Sequence, residues 1–323
     1  MRAYRAPSWL PGGNAQTLWP LTIKPQRPAY QRERWTTPDD DFVDADRIDG
    51  PSHAPLLVLF HGLEGSSRSH YALSLAHAAH AAGWRFALPH FRGCSGELNR
   101  LPRAYHSGDS AEIDWILARC QALAGEAPLF AAGVSLGGNA LLKWAGEQGE
   151  AASRRLQAIA AVSAPLDLAA CGHHLAHGFN RLYTRHFLQT LKPLAELRLD
   201  RHPGIFDGAR MRQARNLYQF DDAVTAPLHG FAGADDYWRR ASGKPWLRHI
   251  RIPALVLNAR NDPFLPAQHL PHPNEVSASV VLEQPATGGH VGFVSGSFPG
   301  HLDWMPQRLL HFFATHLPTG TRK

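Results

Sequence analysis

Lysine, cysteine and long apolar runs are all scarce in this chain. Of its 323 residues only three are cysteine, Cys94, Cys120 and Cys171. Three scattered thiols build no disulfide framework and match no spaced metal motif, so they fit a reducing compartment and read as packing residues. Only five of the 33 basic residues are lysine, so arginine carries most of the formal charge of +6. The arginines are spread along the chain. A nucleic-acid binder concentrates its basic residues on one helix or arm, and that class is set aside. A basic surface remains compatible with anionic substrates or membrane surfaces. No apolar stretch approaches the roughly 20 residues that span a bilayer. Near the start, Arg2 and Arg5 precede Pro7, Pro11, Gly12 and Gly13, which interrupt any signal-peptide core. The expectation is a soluble cytoplasmic protein with no integral membrane segment.

What is present alternates. Residues 1–30 are proline-rich, with Trp9 and Trp19 interspersed, and predict an arm packed on the body. Strands are predicted at 32–37 and 42–48, around the turn Pro38-Asp39-Asp40-Asp41. Leu56-Leu57-Val58-Leu59-Phe60 is a continuous apolar run, the pattern of a strand buried on both faces. Helix 68–82, strand 84–89, helix 107–123, a strand into Ser135, helix 136–149 and strand 157–163 follow. Residues 166–249 break the alternation with helical periodicity and predict an inserted cap. Strands at 252–258 and 277–283 and a closing helix at 302–317 complete one α/β domain spanning 1–323. Strands alternating with helices imply a mostly parallel sheet with helices on both faces, and chemistry at the carboxyl ends of the strands.

One stretch organises the rest: Pro128 to Val134 leading into Ser135-Leu136-Gly137-Gly138. An apolar run ending in Gly133-Val134-Ser135-Leu136-Gly137 and continuing into a helix is the pattern of a nucleophile elbow. The following helix aims its N-terminal amides at the serine, where negative charge develops. A serine hydroxyl needs a base, and the base needs a carboxylate to orient it. After the cap, strand 252–258 ends in Asn261-Asp262-Pro263, and strand 277–283 is followed by Gly288-Gly289-His290-Val291-Gly292. The order Ser135, Asp262, His290 is the chain order of a triad in this kind of sheet. Asp167, after the strand that follows the serine, is a second candidate for the acid, and His301 for the base. The Leu136 amide and the Leu63 amide, in His61-Gly62-Leu63-Glu64-Gly65, are candidates for an oxyanion hole. Cys171-Gly172-His173-His174 with His177 matches no standard zinc spacing. His202 to Asp207 matches an H-x₄-D acyltransferase pattern at a frequency that chance supplies in a chain with 20 histidines.

The chain resembles the YheT-type branch of the α/β-hydrolases, esterases related to eukaryotic abhydrolase-domain lipases, over nearly its whole length. The resemblance rests on Pro7 to Gly13 with Gln16-Thr17-Leu18, on His61 to Gly65, on Phe91 to Glu97 and on Asn99 to Asp109. Within the cap it rests on Phe220-Asp221-Asp222 and Tyr237 to Ser242. The Arg92 to Asp109 stretch is the most specific marker. The resemblance implies Ser135, Asp262 and His290 as a triad acting on carboxylic esters without a cofactor. Where relatives often carry two acidic residues this chain has Asn261-Asp262, which leaves one acid there. Three readings compete with a serine esterase using a small-molecule or lipid ester: an acyltransferase, a phospholipase, and a non-catalytic ligand-binding scaffold.

Overall fold

The computed structural model describes residues 3–23 and 25–318, so residues 1, 2 and 24 of the N-terminal segment lie outside it. Helix α1 (Gly13–Leu18) precedes strands β1 (Gln31–Thr36), β2 (Phe42–Ile48) and β3 (Leu56–Phe60). Helix α2 (His70–Ala81), β4 (Arg85–Pro89), α3 (Ser110–Ala124), β5 (Leu129–Val134), α4 (Leu136–Gln148) and β6 (Ala158–Val162) follow in alternation. The next stretch is helical: α5 (Leu168–Leu175), α6 (Arg181–Arg201), α7 (Gly208–Gln213), α8 (Leu217–Phe220), α9 (Ala226–Leu228) and α10 (Ala234–Ala241). Then come β7 (Ala254–Leu257), β8 (Val280–Glu283) and α11 (Trp304–Ala314). The strands form one sheet in the order β1-β2-β4-β3-β5-β6-β7-β8. From β4 to β8 every pairing is parallel, while β2 runs antiparallel to both β1 and β4.

Strand β3 explains the layers. Successive side chains of a strand point to opposite faces. Leu57 and Leu59 join a cluster with Leu75 of α2 and Leu309 and Phe313 of α11. Leu56, Val58 and Phe60 join a cluster with Ile113 and Leu117 of α3 and Leu141 and Trp144 of α4. Each fully buried Leu or Phe contributes about 1.5–3 kcal/mol, so neither face can be given up. Parallel pairing then aligns the carboxyl ends: Phe60 lies opposite Gly133, Val134 opposite Val162, and Leu257 opposite Glu283.

The edge is held by charge. In β1, Arg32 and Arg34 sit opposite Asp46 and Asp44 of β2, each pair closing at 2.7 Å. Burial raises the carboxyl pKa of Asp46, but bonds from Arg32, His90 and Ser67 outweigh it and hold the group below its ordinary range.

The Arg92–Asp109 stretch is a second polar scaffold. Arg92 Nε donates to Glu112 Oε2 of α3 at 2.7 Å, and its terminal nitrogens donate to Asp39 at 3.0 and 3.1 Å. Asn99 donates to Asp41 and to the Phe42 carbonyl. Asp41 also accepts the Arg100 and Leu101 amides. The β1–β2 turn is thus tied to α3, and Tyr105 and His106 are delivered to the carboxyl end of the sheet. No helix among the described residues is long and apolar enough to cross a membrane.

Candidate active site

Ser135 stands between the last residue of β5 and the first of α4, at φ 51° and ψ −120°. A left-handed φ in a residue with a Cβ is uncommon and strained. The turn is tight because its surroundings are close. A Cβ on Gly137 would lie 2.4 Å from the Phe60 carbonyl oxygen, and one on Gly133 would lie 2.5 Å from that of Gly137. Only glycine fits at either position, which is the steric content of the Gly-x-Ser-x-Gly pattern.

Three predicted residues meet here. The Ser135 Oγ lies 3.0 Å from His290 Nε2, and His290 Nδ1 lies 2.8 Å from Asp262 Oδ2. Asp262 accepts at Nδ1, so that nitrogen carries the proton and Nε2 is free to accept from the serine hydroxyl. The other oxygen of Asp262 accepts the Phe264 amide at 2.8 Å, and the Phe264 ring stacks on the imidazole at 3.8 Å between centroids. Both His290 and Asp262 are buried, at 9% and 5% exposure.

The loop carrying His290 is held by the N-terminal segment. Thr17 Oγ1 accepts the His290 amide at 2.8 Å. The Gln16 side chain accepts from the Gly288 amide and from Asn261 Nδ2. A Cβ on Gly292 would lie 2.0 Å from the Gln16 carbonyl oxygen. The glycines around His290 therefore admit α1 as well as forming the turn. Tyr4, Trp9 and Trp19 donate to the carbonyls of Val294, Gly296 and Pro299 and extend the same seam.

The other candidates lie elsewhere. Asp167 caps α5 by accepting the Ala170 amide, and the imidazole near it is that of His269, 3.6 Å away. His301 is exposed and paired with Asp303. Asp207 caps α7, whereas His202 lies against the Arg100 carbonyl. Among the described residues no group of three or more His, Cys, Asp or Glu side chains is disposed to hold a metal ion.

The loop after β3 passes beside the serine: a Cβ on Gly62 would lie 3.2 Å from Ser135 Cβ. Its amides are accounted for one by one. Gly62 donates to Tyr71 Oη, Glu64 to Tyr105 Oη and Gly65 to the Gly62 carbonyl. The Leu63 amide has no acceptor among the described residues, nor does that of Leu136. Both residues line the cavity at Ser135.

Ser135 opens on two spaces. One is an inner cavity of about 140 Å³ between the sheet and the helices following β6, lined by Leu175, Phe187, Leu194, Leu217 and Val224 among others. The other is an open cleft of about 870 Å³. Leu18, Leu21, Phe179 and Leu182 stand on its wall with 42–57% exposure. Sequence reasoning missed Tyr105, Glu64 and Arg198, which line the inner cavity. The Arg92–Asp109 marker was the signal for Tyr105, but its partners are far away in the chain.

Four histidines at or near the site are held neutral. Burial, then the neighbouring His90, pushes His61 down to about 3. Burial pushes His70 and His106 down to about 4 and, with His106 beside it, His229 to about 3. In the unfolded chain each titrates near 6.5. At these four groups the unfolded state therefore binds more protons than the folded state between pH 6.5 and 4, so their contribution to stability rises with pH across that window, offset in part by Glu112 and Asp221, which burial pushes up to about 7 and about 6. The histidine contribution is fully present above pH 6.5 and lost as pH falls. Each such histidine contributes about 1.4 kcal/mol per pH unit. Urea midpoints are expected to fall from pH 7 to pH 5, and the fall should shrink in a His61→Gln or His70→Gln variant; an unchanged fall in both variants would contradict neutral burial of these groups.

Comparison with known proteins places the chain. Residues 55–297 match the family model described as the alpha/beta hydrolase fold. The chain is 40% identical over 310 residues to "Putative esterase YheT" of Escherichia coli, covering 94% of this chain and 90% of that protein. It is 29% identical over 318 residues to human "Phospholipase ABHD3", covering 94% and 76%. Among solved structures, Est1E of Butyrivibrio proteoclasticus with bound ferulic acid superposes at a TM-score of 0.56, with 13% identity, covering 90% and 99% of the two chains. That last likeness concerns the fold alone.

Proposed function

This chain belongs to the alpha/beta hydrolase fold family, in its YheT-type branch, and from that premise we propose that it is a serine carboxylic-ester hydrolase working through an acyl-enzyme on Ser135. The observation that carries the reading is the hydrogen-bonded chain from Ser135 through His290 to Asp262, at 3.0 and 2.8 Å, beside an apolar cavity. His290 Nε2 takes the hydroxyl proton as Oγ attacks the ester carbonyl. Asp262 fixes the tautomer and stabilises the imidazolium. The Leu63 and Leu136 amides receive the tetrahedral oxyanion, and their lack of other acceptors supports that role. His290 then protonates the leaving alcohol, and water repeats the sequence on the acyl-enzyme.

The helices between β6 and β7 act in this reading as a cap that shields the acyl group. A lipid-like ester is favoured by the exposed apolar side chains at the cleft, Leu18, Leu21, Phe179 and Leu182, because scattered single apolar residues need no explanation but a contiguous set beside a reactive serine does. The name of the human relative points the same way. The test is a panel of p-nitrophenyl esters of increasing acyl length, read in the first turnover and at steady state. Turnover is expected and, because p-nitrophenolate is a good leaving group that makes acylation fast relative to deacylation, a burst of about one p-nitrophenol per chain should precede it. Absence of turnover across the panel, together with no labelling of Ser135 by a fluorophosphonate, would sink the proposal.

A further inference from the structure

Among the described residues, buried arginines differ in how they are paired. Arg92, 3% exposed, is met by Glu112, Asp39 and Asp41. Arg198 of α6 is 6% exposed, and its guanidinium makes no hydrogen bond and no ion pair among the described residues; its Nε is buried with no acceptor. It lines the inner cavity that opens at Ser135. His229 lines the same cavity, and its Nε2 is likewise buried without a partner. Burying a polar group without a partner is costly, and burying a charge is costlier. Two such groups on one cavity wall indicate that their partner enters through the cavity.

We propose that Arg198 and His229 form an anion-binding pole in the inner cavity, which selects ligands bearing a carboxylate or phosphate at the end of an apolar chain. The guanidinium supplies a planar fork of donors matched to either anion. The neutral His229 imidazole adds one more polar contact. The Leu and Phe side chains around them accommodate the apolar chain that links the anion to the reacting carbonyl. Of the carboxylates around this pole, Asp41 and Asp109 are paired with Arg92 and Arg103, Asp221 accepts from Thr225 and Trp238, and Glu64 Oε1 accepts from Tyr105 Oη at 2.7 Å. None of them forms an ion pair or hydrogen bond with Arg198 among the described residues; Glu64 and Asp41 act on it only at longer range, which leaves the fork free. Burial raises the Glu64 pKa, which lessens its repulsion of an incoming anion.

That the cavity holds a substrate rests on the esterase reading, so binding is measured apart from turnover. Ser135→Ala protein is titrated calorimetrically with hexyl phosphate, hexanoate and hexanol, with and without Arg198→Met. The expected result is that at least one anion binds about tenfold or more tighter than hexanol, and that Arg198→Met removes a preference on the order of 10–100-fold. Arg198→Lys, which keeps the charge but loses the fork, restores part of it. The phosphate and carboxylate arms tell which anion the pole accepts. In the kinetic arm, mono-p-nitrophenyl adipate is compared with p-nitrophenyl hexanoate. The ratio of their kcat/KM values falls by the same 10–100-fold in Arg198→Met, mainly through KM. If Arg198 is only a counter-charge to Glu64, the variant changes charged and neutral ligands alike, and the proposal is overturned. It is overturned as well if neither anion is preferred over hexanol. Arg198-dependent binding without ester turnover leaves this site standing and removes the esterase reading; turnover without charge preference does the reverse.

Discussion

Ser135→Ala is expected to lower kcat on p-nitrophenyl esters by about 10⁶-fold, to the background that binding and oxyanion donors alone provide. The magnitude follows from the arrangement. His290 Nε2 has one proton to take, that of Oγ 3.0 Å away, and without the hydroxyl no acyl-enzyme forms. The measurement is single-turnover p-nitrophenol release by both proteins. Equal rates would assign that activity to another group. A companion variant separates chemistry from folding. Ser135 holds φ 51° and ψ −120°, a backbone state that L side chains rarely adopt and that costs of order 1 kcal/mol. Ser135→Gly should therefore be as inactive as Ser135→Ala but more stable than it by roughly 1 kcal/mol in urea unfolding. Strain tolerated at one residue is a sign that function, and not stability, selects the serine.

Much of this site is legible in the sequence because its parts are local. A five-residue apolar run reads as a buried strand whatever surrounds it, and β3 and β2 occupy the expected residues. Boundaries moved where a local hydrogen bond or a proline intervened. Strand 277–283 begins only at Val280, because the Val280 amide turns back to the Ser277 carbonyl and Ser277 Oγ donates to Ile250. Strand 252–258 begins at Ala254, after Pro253. The helix expected from 68 begins at His70, since Ser69 keeps an extended backbone. Arg198 was not legible at all. Nothing local distinguishes it from the other arginines of α6, and its isolation is visible only once Glu64, Tyr105 and His229 are placed around it. Thr17 is the same case: it supports His290 from 273 residues away. Motifs report chemistry that lies within a few residues; packing and charge balance are written across the whole chain.

Asp262→Asn carries the second large effect, an expected fall in kcat of about 10⁴-fold with little change in KM. In the proposed mechanism the acid touches no substrate and acts through His290. Its Oδ2 accepts from Nδ1 at 2.8 Å and so keeps the proton off Nε2. An asparagine can present its amide nitrogen to Nδ1, which favours the opposite tautomer and leaves Nε2 protonated and unable to take the serine proton. Asn is nearly isosteric, and the oxygen that accepts the Phe264 amide can be retained, so the stacked Phe264 ring and the fold should persist. A purely structural role would instead appear as a lower melting temperature with partial activity. Asp167→Asn is the matched control. Asp167 caps α5 and pairs loosely with His269, so its replacement should alter stability by about 1 kcal/mol or less and leave kcat within a few-fold. The decisive comparison is the pH–rate profile of Asp262→Asn. With the carboxylate gone the imidazolium loses its stabilising charge, so the profile should differ from that of the wild type, whereas that of Asp167→Asn should match it. If Asp262→Asn retains more than a tenth of the wild-type kcat while Asp167→Asn loses most of it, the acid has been assigned to the wrong strand end.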